Sequence, residues 1–198
     1  IDYLGWQNQN KNYYFVGLPL MSGRLMGEKK STIRKLVEKY KLDIRLTPNQ
    51  DLLLCNIPKT KKSEIKSILA RIQYDNLDNI NEIERHALAC PALPLCGLAM
   101  TEAERILPDI LKRIDDLLKK LNIEKSILFR ITGCPNGCSR PYMAELALVG
   151  SGLNKYQVWL GGSKNLQRLA KPYLQRMDLN DLEITLEPLF NEWGKKSK

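Results

Sequence analysis

The sequence predicts an α+β protein in two parts, a sheet-and-helix unit over residues 1–77 and an α/β domain over residues 78–198. Three observations carry this. Apolar residues recur at helical spacing in several segments, and short strand-type runs lie between them. Positive charge is concentrated at the front, with 14 Lys/Arg against 7 Asp/Glu in residues 1–77 and 17 against 15 in the remainder. The Asn- and Asp-rich segment YDNLDNINE then divides the two parts as a linker or cap.

In the first part, NYYFVGLPL reads as a strand followed by a Gly-containing turn. In EKKSTIRKLVEKYK, Ile33, Leu36, Val37 and Tyr40 fall at i, i+3, i+4 and i+7, one face of a helix. LDIRLT and DLLLCNI flank a turn at Pro48 and Asn49, the pattern of a hairpin. Ile65, Ile68, Leu69 and Ile72 repeat the helical spacing. Strand, helix, strand, strand, helix is a ferredoxin-like unit lacking its last strand. Such a half-domain leaves a sheet edge open and needs a partner to finish it.

In the second part, Thr101 and Glu104 match a helix capping box. Ile106, Ile110, Leu111, Ile114, Leu117, Leu118 and Leu121 form the apolar stripe that follows, with Pro108 kinking or restarting the helix. SILFRIT reads as a buried strand, ELALVG and YQVWLGG as two more, and two helical patterns close the chain, around Leu166 to Met177 and Leu182 to Trp193. No solenoid-type repeat or low-complexity tract interrupts them.

Composition narrows the function classes. The longest apolar stretch, ALACPALPLCGLAM, has 14 residues with two prolines, too short for a membrane span. A net charge of +9 suits an acidic protein partner, an anionic ligand or nucleic acid, or simply keeps helix faces solvated. Nucleic acid ranks low, because the basic first part lacks a recognition motif and interleaved aromatics. Five cysteines, an odd number, fit a reducing compartment better than a disulfide framework. The chain opens on Ile1 within the approach to a strand, and we expect it to be a fragment.

Four cysteines form two pairs, Cys90 and Cys96 in CPALPLC, then Cys134 and Cys138 in CPNGC. Each pair sits where Pro and Gly break regular structure, which lets sulfurs converge while backbone N–H groups point inward. Four soft thiolates suit zinc or an iron-sulfur cluster. The five-residue gap of the first pair is wider than zinc sites use, whereas clusters tolerate varied spacing and gain from N–H donors to sulfur. One pair alone would read as buried small hydrophobes; two pairs, each beside a proline, favour metal. Cys55, alone in mid-strand, reads as core. His86, the one histidine, is conceivable in a Cys-His pair but fits a structural role better. Gly161 and Gly162 lack the spacing of a dinucleotide loop. Arg45, Asn49 and Gln50 cluster polar groups between strands, as a turn or as a face for an anion.

CPALPLCGLAMTEAERILPDILKRI, FRITGCPNGCSRPYMAELALVG and YQVWLGG together resemble the C-terminal half of the sulfite reductase haemoprotein family, most closely its ferredoxin-dependent form. RLTPNQDLLL in the first part is similar to the family's repeat element, so the resemblance spans nearly the whole chain. It implies a 4Fe-4S cluster and a siroheme bridged by one thiolate. Carried over by motif, Cys90, Cys96, Cys134 and Cys138 ligate the cluster, and Cys138 also binds the siroheme iron. Asn136 and Gly137 lie against both groups, and Arg45, Asn49 and Gln50 approach siroheme carboxylates.

The implied reaction is six-electron reduction of sulfite to sulfide, with ferredoxin, an acidic donor, as partner and the cytoplasm or plastid stroma as location. Assimilatory nitrite reductases share both cofactors and remain a lesser alternative, as does an isolated 4Fe-4S electron-transfer module. The family's substrate-binding basic side chains belong to its N-terminal half, and nothing here matches them. That missing half is therefore an expected partner, without which the chain is expected to hold a cluster yet reduce little or no sulfite.

Overall fold

In the computed structural model, residues 3–124, 127–163, 165 and 167–195 are described. The chain divides into two units, Ile1–Asn81 and Glu82–Lys198.

The first unit contains β1 (Gly5–Asn8), β2 (Tyr13–Leu18), α1 (Gly27–Tyr40), β3 (Asp43–Leu46), β4 (Leu52–Pro58) and α2 (Lys62–Arg71). Its antiparallel sheet runs β1-β2-β4-β3. Ile33 and Leu36 of α1 and Ile65 and Leu69 of α2 join Val16, Leu18, Leu54 and Ile57 in one core, which is why both helices carry a single apolar face. Tyr74 and Leu77, from the Asn- and Asp-rich segment, are buried in the same core, so that segment caps the unit.

One expectation changes here. The sequence left the edge beside β2 open, but β1 pairs along it from Gly5↔Gly17 to Asn8↔Tyr14. A strand arriving from the N-terminal side thus occupies the place of the missing last strand. The approach to β1 runs directly over Gly17, where a Cβ would stand 1.9 Å from the Tyr3 carbonyl oxygen. β3 is the other edge, exposed along its whole length.

The second unit contains α3 (Glu82–Arg85), β5 (Leu88–Ala89), α4 (Leu107–Lys120), β6 (Phe129–Thr132), β7 (Leu146–Gly152), β8 (Lys155–Leu160), β9 (Lys171–Asp178) and α5 (Leu182–Lys195). The sheet order is β5-β6-β7-β8-β9. β5-β6 and β6-β7 are parallel, and the later pairs are antiparallel. α4 lies in the β5-to-β6 connection, the crossover a parallel pair requires. Its buried stripe, Leu107, Ile110, Leu111, Ile114, Leu117 and Leu118, shares a core with Leu182, Leu186 and Phe190 of α5 and with Phe129, Ile131, Leu148 and Val158 of the sheet. Among the described residues no helix is long and apolar enough to cross a membrane.

Two further expectations change. Thr101 does not cap α4: it is buried, donates to the Tyr156 hydroxyl oxygen at 3.0 Å and accepts the Asn154 N–H at 3.1 Å. The helix starts instead at Leu107 with Pro108 in its first turn, where the absent N–H costs nothing. The segment expected as a helix around Leu166 to Met177 holds strand β9, although Leu166 itself lies outside the described residues. Leu169 and Tyr173, at helical spacing, are exposed while Met177 joins the core of the sheet, so the spacing there marks no helix face. Pro172 opposes a helix interior but is tolerated in an outermost strand.

α4 and α5 are joined by a fork in which Arg113 Nε and Nη2 donate to Glu183 Oε1 and Oε2 at 2.5 and 2.6 Å. The Arg113 hydrogen bonds, with its charge, hold the Glu183 carboxyl below its ordinary 4.5. Stability from this pair is fully present above that value and is lost as pH falls through the lowered one. The pair is partly exposed, so it is worth at most about 1 kcal/mol. Arg113→Met should therefore reduce unfolding free energy by about that much at pH 7 and by clearly less at acid pH, in urea denaturation curves recorded at both.

Candidate functional site

β5 and β6 are parallel and in register, Leu88 opposite Arg130 and Ala89 opposite Ile131. The chain leaves both strands at the same end, into Cys90 on one side and Gly133-Cys134 on the other. Carboxyl ends of parallel strands are where open α/β sheets place binding sites.

The first loop folds on itself: the Cys96 N–H donates to Ala92 O at 2.8 Å, the Ala99 N–H to Cys96 O at 3.1 Å, and the Leu93 N–H to Thr101 O at 3.3 Å. The second is a tight turn in which the Arg140 N–H donates to Gly137 O at 2.8 Å. Four bonds join the first loop to β6 and the second loop. The Cys90 N–H donates to Ile131 O at 3.3 Å and the Met100 N–H to Gly133 O at 2.8 Å. The Gly133 N–H and the Thr132 hydroxyl both donate to Cys90 Sγ, at 3.2 and 3.4 Å.

This approach depends on missing side chains. A Cβ on Gly133 would lie 2.6 Å from Ala92 Cβ, and one on Gly150 would lie 2.3 Å from Gly133 O. Gly137 has φ +68°, and a Cβ there would lie 2.8 Å from the Tyr142 ring. That ring supports the turn from below: its hydroxyl donates to Pro135 O at 2.7 Å, and it meets Trp159 edge-on at 4.7 Å. Ser139 ties the turn back to its own strand, donating to Ile131 O at 2.7 Å.

Tyr156 anchors the far end of the first loop. It is fully buried, and its hydroxyl donates to Glu102 O at 2.7 Å. Burial pushes its pKa up to about 12, so the phenol stays protonated and remains a donor. Sequence reasoning missed both tyrosines. The available signals were a tyrosine within the apolar run of β8 and one directly after Pro141.

All five cysteines are free. Cys90 and Cys134 are buried, Cys96 is half-buried and Cys138 is exposed. The four paired thiols occupy neighbouring loops without forming a closed ligand shell: among the described residues, no group of three or more His, Cys, Asp or Glu side chains is placed to hold a metal ion. The donor set nevertheless fits a soft metal centre. It offers four reduced sulfurs on two mutually bonded loops, one of them already receiving an N–H and an O–H. Four thiolates would close into one shell only around a cation, because like charges repel. Asn136 is exposed and Gly137 half-buried between Cys134 and Cys138.

Arg45, Asn49 and Gln50 lie in the first unit. Arg45 is exposed on β3 opposite Leu53. Asn49 and Gln50 share the turn after it, where Thr47 Oγ1 accepts the Asn49 N–H at 3.2 Å and the Asp51 N–H at 3.1 Å. Cys55 is buried in β4, and burial pushes its thiol up. His86 is half-buried just before β5.

Residues 7–72 match the nitrite/sulfite reductase ferredoxin-like half domain. The chain is 44% identical over 194 residues to a protein of Synechococcus elongatus named sulfite reductase (ferredoxin), covering 96% of this chain and 31% of that one. It is 38% identical over 200 residues to a protein of Staphylococcus epidermidis named sulfite reductase (NADPH) hemoprotein beta-component, covering 98% and 35%. The chain thus spans about a third of the length of these relatives. The solved structure of the Mycobacterium tuberculosis NirA protein superposes with a TM-score of 0.81 at 22% identity, over 98% of this chain and 38% of that one, which shows a shared fold.

Gly133→Ala should force the two loops apart and cost about 1–3 kcal/mol, seen as a lower denaturation midpoint. Gly97, with nothing within 4 Å of a Cβ, supplies the control: Gly97→Ala should stay within about 0.5 kcal/mol.

Proposed function

We propose that this chain, which belongs to the nitrite/sulfite reductase family, is the cluster- and siroheme-binding portion of a sulfite reductase that converts sulfite to sulfide with six electrons. The observation that carries the reading is the bonding of the two cysteine loops across the ends of β5 and β6, with the Cys90 sulfur already hydrogen-bonded.

In this reading Cys90, Cys96, Cys134 and Cys138 hold the 4Fe-4S cluster. Cys138 also serves the siroheme iron, a role supported by its exposure, which Cys90 and Cys134 do not share. When bound, the two groups supply single electrons to an iron that accepts the substrate anion. The chain's own residues position and insulate them. Gly133 and Thr132 donate hydrogen bonds to sulfur, which disperse its negative charge. Gly137 keeps the turn low over Tyr142, and Asn136 stands exposed beside the shared sulfur. Arg45, Asn49 and Gln50 are assigned to siroheme carboxylates, supported by the resemblance of their segment to the family's repeat. The substrate-binding cations come from outside these residues.

Ferredoxin is the proposed donor, in the cytoplasm or plastid stroma. The Synechococcus relative carries that donor in its name, and the concentration of positive charge in the first unit complements an acidic carrier. Electron delivery should then slow as ionic strength rises, by stopped-flow measurement, whereas a salt-insensitive rate would remove ferredoxin.

The test of the site is the visible spectrum, with iron and acid-labile sulfide content, of protein purified anaerobically from siroheme-producing cells. Tetrapyrrole bands with about five irons per chain are expected. Serine at Cys90, Cys96 or Cys134 should abolish the cluster, and serine at Cys138 should abolish both groups. Cys55→Ser should change neither. A colourless wild type that also fails chemical reconstitution would overturn the reading.

A further inference from the structure

Arg130 lies in β6, in the four-residue strand that runs into the second cysteine loop. Its side chain is on the face opposite the main core, in line with Ala147 and Trp159 across the sheet, and the residue is 4% exposed. One guanidinium nitrogen, Nη1, donates to the Arg140 carbonyl at 2.9 Å. Nε is buried with no hydrogen-bond partner, and among the described residues no carboxylate pairs with this side chain. Burial, and after it the charge of a second cation, Arg140, bring its pKa down to about 10, which still leaves it charged at neutral pH.

An uncompensated guanidinium beside another is unfavourable through both desolvation and repulsion. A neutral residue would fill a strand position opposite Ala147 without that cost. The position of Arg130 indicates which negative charge offsets it. Its head group grips the carbonyl at the exit of the Cys134 to Cys138 turn, while its own strand forms the entry. Cys138 lies two residues from Arg140, within about 7.6 Å between Cα atoms. The charge therefore stands at the base of the loop that gathers anionic sulfur.

We infer that Arg130 is a positioning residue for the thiolate-bound metal centre, its buried positive charge offsetting the negative charge of that centre and favouring the form carrying one more electron. This rests on the four-cysteine reading above. Removing the charge should make one-electron reduction harder and lower the midpoint potential of the cluster, whereas a merely structural strut would leave the potential unchanged.

The test is potentiometric titration of the cluster in the holoprotein, followed by electron paramagnetic resonance, for wild type, Arg130→Gln, Arg130→Lys and Ser139→Ala. Arg130→Gln should shift the reduction equilibrium at least tenfold toward the oxidised form, which for a one-electron couple is ~59 mV. Arg130→Lys, which keeps the charge, should stay within about threefold by the same conversion. Ser139→Ala, which removes a tie of the same loop without removing charge, should leave the potential in place. An unchanged potential in Arg130→Gln, or an equal shift in Ser139→Ala, overturns the inference and leaves the four-cysteine reading standing. If Arg130→Gln fails to hold the cluster, retention by Arg130→Lys supports the charge role and loss in both overturns it. A wild type without iron overturns both readings together.

Discussion

The second unit depends on a parallel pairing only two residues long on one side. β5 is Leu88 and Ala89, and their register with Arg130 and Ile131 decides where Cys90 emerges relative to Cys134. So short a pairing contributes little by itself, and α4 and the core beneath hold it. α4 fills the crossover, and its six buried residues lie against Phe129 and Ile131 from the same strand. Core packing thus sets the register, and the register brings the Gly133 N–H to the Cys90 sulfur. A one-residue slip would exchange the faces of every side chain in β5 and separate that pair.

What the sequence made legible followed from how local each signal was. α1, α2 and α4 declare themselves through periodicity, because each buries a single stripe, and β4 through its apolar run. The cysteine loops were legible through residue type: cysteine, proline and glycine together exclude regular structure and leave few other uses for the sulfurs. β1 was missed because GWQN carries one apolar side chain of strand type; what makes it a strand is the free edge of β2 and the bare surface at Gly17. β9 was misread because Leu169, Tyr173 and Met177 repeat at a spacing of four by coincidence, while the edge of β8 claims the segment. The apparent capping box at Thr101 failed for a related reason. Its hydroxyl has a stronger use 55 residues away, at Tyr156, which no local pattern contains.

Within the site, the residue types were legible and their support was not. Gly133 and Gly150 are indispensable only because two backbones meet there, a fact about three-dimensional neighbours. Tyr142 and Tyr156 act through single hydroxyls on loop carbonyls and look like ordinary core aromatics in sequence. Arg130 was passed over too, because SILFRIT reads as a buried strand as a whole. Its meaning depended on finding it buried and without a carboxylate.

The unequal exposure of the four paired thiols bears on how a centre held by them would be reached. Cys90 and Cys134 are buried, and the Cys90 sulfur receives two donors. Cys138 is exposed in a turn that Gly137 and the Tyr142 ring support. A centre held by these sulfurs would be shielded on the side of the buried pair, where a low dielectric would strengthen the N–H contributions. Cys138 is the exposed sulfur, and Cys96 is half-buried. Under the proposed function both shielding and access would be needed, and Cys134 and Cys138, buried and exposed in the same short motif, differ in that respect. The spacing CPNGC achieves this because three residues suffice to carry the chain from a buried strand end to the surface, provided that one of them adopts the left-handed conformation, as Gly137 does.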